Sequence, residues 1–316
     1  MKNDYLDFEE PIAALEKKIL DLQSSGEKRG SKFSDEISKL NEGIIKLTEK
    51  IYSNLSAWQC VQIARHPQRP HFLDLVEKIC DEFDELHGDR HFRDDQALIG
   101  GLAIIGDHSV VLIGHEKGRS TEDKIYRNFG MPQPEGFRKA GRLMKLAERF
   151  KLPVVTLVDT PGAYPGIDSE ERGISESIAQ NLGVMSSLKT PILANIIGEG
   201  GSGGALAIAV GDHISMMEYA TYSVASPEAC ASIIWRDSEK ASEAAEAMQM
   251  NAENILKLNL IDEVIDEPLG GAHRNPDQAA LLLKKSIIKN LDNLKSQSIS
   301  TLLDTRYKRL MSYGNK

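Results

Sequence analysis

The sequence predicts a layered α/β fold. Two apolar runs with β-strand character each lead into a glycine-rich turn, and each turn is followed by a segment that can form a helix. The first run spans 153–159 with its turn at 160–166, and the second spans 191–197 with its turn at 198–205. Strand, turn and helix units that recur at this spacing are typical of a sheet covered by helices, with functional turns at the strand ends. With 316 residues, 41% of them hydrophobic, the chain can bury a large core.

Residues 1–55 predict a separate N-terminal helical hairpin. Apolar side chains recur at spacings of three and four along 12–22 and again along 33–51, on either side of the polar break 24–30. So narrow an apolar seam has to be covered. We therefore expect the hairpin to pack on the body of the chain or on a neighbouring subunit.

Residues 56–270 predict the main domain, and residues 271–316 a C-terminal helical segment. The prolines of the connector 65–71 end helical structure there. The elements predicted after the connector are a helix at 72–86, β-like runs at 97–105 and 110–113, a helix at 136–151, the strand at 153–159, a helix at 174–188, the strand at 191–197, a helix from 206, a strand at 214–224, a helix at 241–258 and a terminal helix at 278–303.

Composition narrows the class of protein. The formal net charge of -9 argues against a DNA-binding protein, because phosphate binding depends on a basic surface. The three cysteines, Cys60, Cys80 and Cys230, form no CxxC pair, which disfavours disulfides and structural zinc and fits a reducing cytoplasm. The N-terminus lacks the apolar run of a signal peptide, and no segment is long enough to cross a membrane. We expect a cytoplasmic protein that holds no metal of its own.

The second glycine turn admits a dinucleotide-binding interpretation. Gly198, Gly200 and Gly203 have the spacing of the dinucleotide fingerprint, and Glu218 lies at about the distance of a ribose-binding acid. The fingerprint normally opens a βαβ unit, however, and here another strand-turn-helix unit precedes it.

The same turn also matches the G-x-S-x-G elbow that presents a serine nucleophile, with Ser202 at its centre. The downstream Asp212 and His213 are adjacent in sequence, so both side chains cannot easily converge on the serine. His273 is the better candidate base. A serine hydrolase that uses Ser202 is therefore an open alternative.

In a third interpretation, backbone N–H groups of the turn act as the hydrogen-bond donors of an active site. The N–H groups of Gly203 and Gly204 are expected at a helix start, where the lack of side chains lets a planar group approach closely. We expect Gly162 and Ala163 of the first turn to shape the same pocket. Two such turns suit chemistry in which oxygens acquire negative charge, as in an enolate.

A series of short motifs belongs together. They are RHP at 65–67, LHGDR at 86–90, IGHEKG at 113–118, NFGMP at 128–132, PEGFRKA at 134–140, DTPGAYPG at 159–166, ERG at 171–173, GEGGSGGA at 198–205, SPE at 226–228 and EPLGGAHR at 267–274. In these motifs the chain resembles the alpha subunit of the bacterial and plastid-type acetyl-coenzyme A carboxylase carboxyltransferase.

The resemblance implies a crotonase-like (ClpP/crotonase) fold of repeated ββα units and a heterotetramer of two alpha and two beta chains. It implies transfer of the carboxyl group from carboxybiotin, on the biotin carboxyl carrier protein, to acetyl-CoA, giving malonyl-CoA for fatty-acid biosynthesis. Biotin would be carried covalently by the carrier protein, a partner biotin carboxylase would use ATP, and the beta subunit would hold zinc. A carboxyltransferase for another acyl-CoA and a noncatalytic scaffold built on the hairpin are further alternatives.

On this interpretation each turn has a role. Gly203 and Gly204 form a backbone oxyanion hole, and Gly162 and Ala163 supply pocket backbone. Contacts to the carboxybiotin substrate are expected from Tyr164, Gly166, Gly200, Gly201 and Ser202. Contacts to CoA phosphates or to the donor carboxylate are conceivable for Lys117, Arg119, Lys124 and Arg127, although such residues more often form a solvated basic surface. Glu199 and Tyr164 are expected to orient the turns, and His115 and His273 are expected to be structural histidines that form hydrogen bonds.

Overall fold

The computed structural model describes residues 4–25 and 32–314. Most of the predicted break at 24–30, and the side chain of Phe33, lie outside the described part. The helices are α1 Glu10–Ser25, α2 Lys32–Tyr52, α3 Ala57–Ala64, α4 Phe72–Ile79, α5 Thr121–Tyr126, α6 Pro134–Phe150, α7 Ile167–Glu171, α8 Ile174–Ser187, α9 Ser202–Ala209, α10 Pro227–Trp235, α11 Ala241–Met248, α12 Ala252–Lys257, α13 Pro276–Lys295 and α14 Ile299–Ser312. The strands are β1 Glu82–Glu85, β2 Leu98–Ile105, β3 His108–His115, β4 Val154–Thr160, β5 Ile192–Gly201, β6 His213–Met217, β7 Thr221–Ser223 and β8 Glu263–Ile265.

The strands form one sheet in the order β1-β2-β3-β4-β5-β6-β8, and β7 pairs with the far end of β5. The first three strands are antiparallel, and from β3 onward the pairs are parallel. All of β4 is buried, as expected for a central parallel strand with helices packed on the sheet. The predicted α/β class is confirmed.

The core is continuous from the sheet to the C-terminal helices. Helices α6, α8 and α9 pack on one another, and α6 and α9 also contact the sheet. Leu283, Ile287 and Leu291 of α13 belong to the same buried cluster as Val155 and Leu193 of the central strands. The segment 271–316 therefore contributes to the main core, and the proposed three-part division stays a prediction.

The N-terminal hairpin packs on the body of its own chain. Helices α1 and α2 contact each other, and Ile12 is fully buried. Glu9, just before α1, accepts hydrogen bonds from the Tyr52 hydroxyl at 2.9 Å and from Arg274 at 3.1 Å. A buried carboxylate with two such donors ties the hairpin to the C-terminal segment.

Four predicted elements have different boundaries in the structure. The predicted helix 72–86 was wrong beyond Ile79, because Cys80 is extended and residues 82–85 pair with β2. The predicted strand 214–224 is two strands, and the predicted helix 241–258 is two helices divided at Gln249, which has a φ of 50°. The terminal helix is also divided, because Ser298 caps a new helix by accepting the Thr301 N–H.

The second glycine turn is shorter than predicted. Residues 198–201 continue β5, and the helix begins at Ser202 rather than near residue 206. Within the described ranges, no helix is both long enough and apolar enough to span a bilayer.

Candidate active site at two glycine turns

The two glycine turns are in direct contact. Because β4 and β5 are parallel neighbours, with Thr160 opposite Gly200, their carboxyl ends meet at one edge of the sheet. A Cβ on Gly201 would lie 2.2 Å from the Pro161 carbonyl oxygen. A Cβ on Gly204 would lie 2.5 Å from the Gly162 carbonyl carbon and 2.6 Å from the Ala163 nitrogen. Only glycine permits this approach of the two backbones.

The start of α9 leaves backbone donors available. The first N–H groups of a helix have no acceptor inside it, and no side chain caps α9. Among the residues described, no acceptor takes the N–H of Gly203, Gly204 or Ala163. The Gly162 N–H, in contrast, donates to Thr160 Oγ1 at 3.1 Å. The free donors of the site are thus those of Ala163, Gly203 and Gly204, and the dipole of α9 adds partial positive charge.

Ser202 is exposed at the strand-to-helix junction, but the proposed triad partners do not reach it. Its φ of 51° is the left-handed conformation of a tight junction. Asp212 binds Arg306 and the Ile192 N–H at the amino end of β5, whereas Ser202 follows the carboxyl end. His273 stacks on His66, with ring centroids 3.9 Å apart. The geometry gives no support to the serine hydrolase.

The backbone conformation of the glycines contradicts the dinucleotide-binding interpretation. Gly198 and Gly200 lie within β5, so neither is in a turn before the helix. Glu218 accepts a hydrogen bond from the Glu267 N–H at 3.0 Å, and burial raises the pKa of its carboxyl. The spacing of the glycines is therefore a coincidence of sequence.

The other residues predicted to bind the donor have mixed positions. Gly200 and Gly201 are strand residues opposite Tyr222 and Ser223 of β7. The Tyr164 N–H donates to the Pro132 carbonyl at 2.9 Å. A Cβ on Gly166 would lie 2.3 Å from the Tyr164 ring, so this glycine makes room for the aromatic side chain.

A chain of ion pairs borders the turns. Lys117 Nζ lies 2.6 Å from Asp159 Oδ1 and 2.7 Å from Glu199 Oε2. On the other side of Glu199, Arg65 Nε is 2.6 Å from Oε1, and the same guanidinium reaches Glu228 at 2.5 Å. Burial alone would raise the pKa of Glu199, but Lys117 and Arg65 hold it at about 2. Sequence analysis found the members separately; their contacts depend on tertiary structure.

The basic residues near the turns are mostly engaged with protein groups. Lys117 belongs to the ion-pair chain and is not part of a solvated surface. Arg119 binds the Pro67 carbonyl and Asp74, and Arg127 donates to the Gln96 carbonyl. Lys124 lines a cavity of about 220 Å³ together with Arg65, Lys117, Phe129 and Pro161.

A larger, apolar cleft opens beside the free N–H groups. It has a volume of about 430 Å³, and Ser202 and Gly203 lie in its wall. Its apolar lining includes Leu206, Val210, Tyr222, Ile255 and Leu310. A ligand with a polar head and an apolar body fits such a cleft when the head reaches the start of α9.

His115 lies beneath the second turn as a neutral histidine. It is fully buried, and burial, followed by the charge of Lys117, lowers its pKa to about 3. The Asp159 N–H points at its Nδ1 from 3.4 Å. A side chain that stays neutral and enclosed supports the turns and does not exchange protons with solvent near neutral pH.

Two groups of described side chains have the proximity of metal ligands. Glu9, His66 and His273 form one, but His66 already uses Nε2 on the Asp4 carbonyl and Nδ1 on the Gln68 N–H. Glu85, His87 and Asp94 form the other, and Asp94 already accepts hydrogen bonds from Gly88 and Lys139. Both are hydrogen-bonded clusters, and of their members only His66 lines a cavity beside the glycine turns, together with Pro161 and Glu199.

Comparisons with known proteins agree with the resemblance that the sequence motifs indicate. The family model described as "Acetyl co-enzyme A carboxylase carboxyltransferase-like" matches residues 5–314. The acetyl-coenzyme A carboxylase carboxyl transferase subunit alpha of Saccharophagus degradans is 61% identical over 315 residues, covering 100% of this chain and 99% of the relative. The subunit of that name from Chromohalobacter salexigens is 59% identical over 314 residues, covering 99% of each.

Solved structures share the fold. Transcarboxylase 12S superposes with a TM-score of 0.59 at 20% identity, over 72% of this chain and 42% of that chain. The beta subunit of geranyl-CoA carboxylase from P. aeruginosa superposes with a TM-score of 0.56 at 17% identity, over 78% of this chain and 46% of that chain. This chain thus spans less than half of each, and the predicted crotonase-like fold is confirmed.

Proposed function

Because this chain belongs to the family of acetyl-coenzyme A carboxylase carboxyl transferase alpha subunits, we propose that it acts with a beta subunit to carboxylate acetyl-CoA. The reaction transfers the carboxyl group from a ureido nitrogen of carboxybiotin to the acetyl methyl carbon and a proton of that carbon to the same nitrogen, giving malonyl-CoA and biotin. The observation that supports this most is the pair of free N–H groups at Gly203 and Gly204, packed against the first glycine turn. That arrangement suits an oxygen that gains negative charge.

Carboxybiotin can reach the backbone of the turn only where no side chain covers it. The contact of Gly204 with Gly162 and Ala163 would be blocked by any Cβ, so the turn presents bare backbone. Carboxybiotin supplies the carboxyl group to the reaction. With the donor bound, the N–H groups of Gly203 and Gly204 would hold its ureido oxygen, the atom that gains negative charge when the carboxyl group leaves. Loss of one such donor typically costs about a hundredfold to a thousandfold in rate.

The apolar cleft supports the orientation of the donor. Since Gly203 lies in its wall, a group bound to the Gly203 N–H can place its apolar part against Leu206 and Tyr222. Desolvation in such a cleft strengthens the hydrogen bonds at the helix start. Glu199 and its partners Lys117 and Arg65 line the smaller cavity next to the turn, and Glu199 accepts no hydrogen bond from these N–H groups.

The assembly is part of the proposal. One pair of free glycine N–H groups serves one developing oxyanion, so the enolate oxygen of acetyl-CoA needs a second set of donors, which we assign to the beta subunit. We also propose zinc in that subunit, because none of the three free cysteines of this chain belongs to a group of described side chains with the proximity of metal ligands. The carrier protein would bring biotin, a biotin carboxylase would use ATP to load it, and the complex would work in the cytoplasm.

Reconstitution tests the function. The purified chain is incubated with carboxybiotin-loaded carrier protein and acetyl-CoA, with and without a zinc-bearing beta subunit, and malonyl-CoA is measured. We expect product only in the mixture. Robust transfer by the chain alone would contradict the shared site, and faster turnover of propionyl-CoA would move the substrate to another acyl-CoA. Covalent labelling of Ser202 by a fluorophosphonate would instead support the serine hydrolase interpretation.

A further inference from the structure

The parallel pairing of β4 and β5 is interrupted just before both turns. Pairing is regular up to Val158 opposite Ile196, shifts at Asp159, and resumes with Thr160 opposite Gly200. Such a bulge leaves backbone groups without their ladder partners. At this point the Glu199 N–H donates to Asp159 Oδ1 at 2.8 Å, so a side chain replaces the missing acceptor.

Glu199 is held at this irregular point from both sides. Lys117, in the loop after β3, binds one carboxylate oxygen, and Arg65, at the end of α3, binds the other. The Arg65 guanidinium continues to Glu228 in the first turn of α10. Only 13% of the Glu199 side chain and 15% of the Lys117 side chain are exposed, so water screens the ion pair between them little.

Glu199 lies close to the start of α9 along the chain. Three residues separate it from Gly203, and the intervening Gly200 and Gly201 carry no side chains that could anchor the strand by packing. A Cβ on Gly198 would lie 2.4 Å from Asp159 Oδ1. The backbone just before Glu199 therefore also packs closely against the Asp159 carboxylate. Backbone pairing with β7 holds Gly200 and Gly201, and along β5 the ion pairs of Glu199 are the side-chain restraints nearest to the free N–H groups.

We propose that Glu199 is a positioning residue for carboxyl transfer: its ion pairs with Lys117 and Arg65 set the end of β5 so that the Gly203 and Gly204 N–H groups face the donor oxygen. This inference rests on the proposed function of the same turn. Glu199 does not touch the reacting atoms. It acts through the backbone that follows it, where a displacement of about 1 Å is expected to cost about a hundredfold in rate.

The test uses the variant Glu199→Gln, assembled into the complex with the beta subunit. Glutamine keeps the shape of the side chain but removes its charge and one acceptor. We expect kcat to fall by at least about thirtyfold while KM for acetyl-CoA stays within about threefold, because positioning of the transition-state donors is lost. Amide hydrogen exchange of the peptide 198–206 should also accelerate.

Asp212→Asn is the matched control. The Asp212 side chain is also enclosed, with 3% exposed, pairs with Arg306, and accepts a hydrogen bond from the Ile192 N–H at the amino end of the same strand. Its loss should lower the melting temperature but leave kcat within about threefold and exchange of 198–206 unchanged.

Several results would overturn the inference. Glu199→Gln with kcat near the wild-type value would do so, and so would an equal loss of kcat in Asp212→Asn. If Glu199→Gln does not assemble, Arg65→Lys decides: a fall of about fivefold or more in kcat is expected because lysine cannot bridge Glu199 and Glu228 in the same geometry, and unchanged kcat refutes the proposal. A wild-type complex without transfer would refute the proposed function, while the exchange data would still judge Glu199.

Discussion

Gly204→Ala is the sharpest test of the contact between the two turns. Its new methyl group would lie 2.5 Å from the Gly162 carbonyl carbon and 2.6 Å from the Ala163 nitrogen. Both neighbours are backbone atoms, so no rotamer change can relieve the overlap. The turns have to separate by about 0.9 Å to reach 3.4 Å, the lower limit of ordinary contact.

This displacement of the turns is expected to lower the rate of carboxyl transfer. A shift of about 1 Å in the donors of an active site costs about a hundredfold, so Gly204→Ala should reduce carboxyl transfer by about that factor. The overpacking itself should cost only about 1–3 kcal/mol of folding free energy. The complex is therefore expected to assemble and to be nearly inactive. Malonyl-CoA formation, size-exclusion chromatography and circular dichroism measure the three quantities on the same sample.

Two neighbouring glycines are the controls. A Cβ on Gly203 would lie 3.4 Å from Ile178 Cδ1, so Gly203→Ala fits, keeps its N–H, and should lose less than about tenfold in transfer. Gly183 in α8 has nothing within 4 Å of such a Cβ, so Gly183→Ala should stabilise the chain by up to about 1 kcal/mol without changing activity. If Gly204→Ala transferred carboxyl groups as fast as Gly203→Ala, the placement of the donors at this turn would be refuted.

Three further outcomes follow from other parts of the molecule. Ser202→Ala should retain transfer within about tenfold, since the hydroxyl makes no bond in the proposed reaction; a loss of about a millionfold with the fold intact would indicate a nucleophile. Burial, with a smaller contribution from a neighbouring histidine, lowers the pKa of His66 to about 4 from 6.5. Between those values the unfolded state binds more protons than the folded state, so the free energy of unfolding should decrease as the pH falls through this window, and urea titrations of His66→Gln should show a flatter profile. Arg69→Met, which leaves the buried Glu267 carboxylate without a cation, should cost about 3–5 kcal/mol in denaturant unfolding, whereas Lys78→Met at an exposed pair should cost about 1 kcal/mol or less.

Local sequence was sufficient for the elements whose signal lies in neighbouring residues. Apolar runs followed by glycines located β4 and the first part of β5, and spacing by three and four located α1 and α2. These patterns carry information because burial repeats with the period of the helix or strand itself. The motif resemblance then led to the family and the fold that the comparisons show.

Local sequence failed where a distant segment supplies the hydrogen bonds. Residues 82–85 continue a helical pattern, yet they form a strand because β2 offers an unpaired edge. Residues 198–201 are rich in glycine and suggested a turn, yet β4 and β7 pair with them and extend β5. Intrinsic propensity differs between conformations by about 1 kcal/mol or less per residue, so a partner strand readily overrides it.

The candidate site shows the same division. The sequence by itself determined which backbone could be bare, because Gly162, Gly203 and Gly204 carry no side chains wherever they lie. Tertiary structure alone decided that Gly204 touches the first turn, and that Lys117 and Glu199, 82 positions apart, form an ion pair beside it. It also placed Asp212 at the opposite edge of the sheet from Ser202. Contacts of this kind depend on the register of the parallel strands, which is set by packing over the whole core and has no counterpart in any local stretch of sequence.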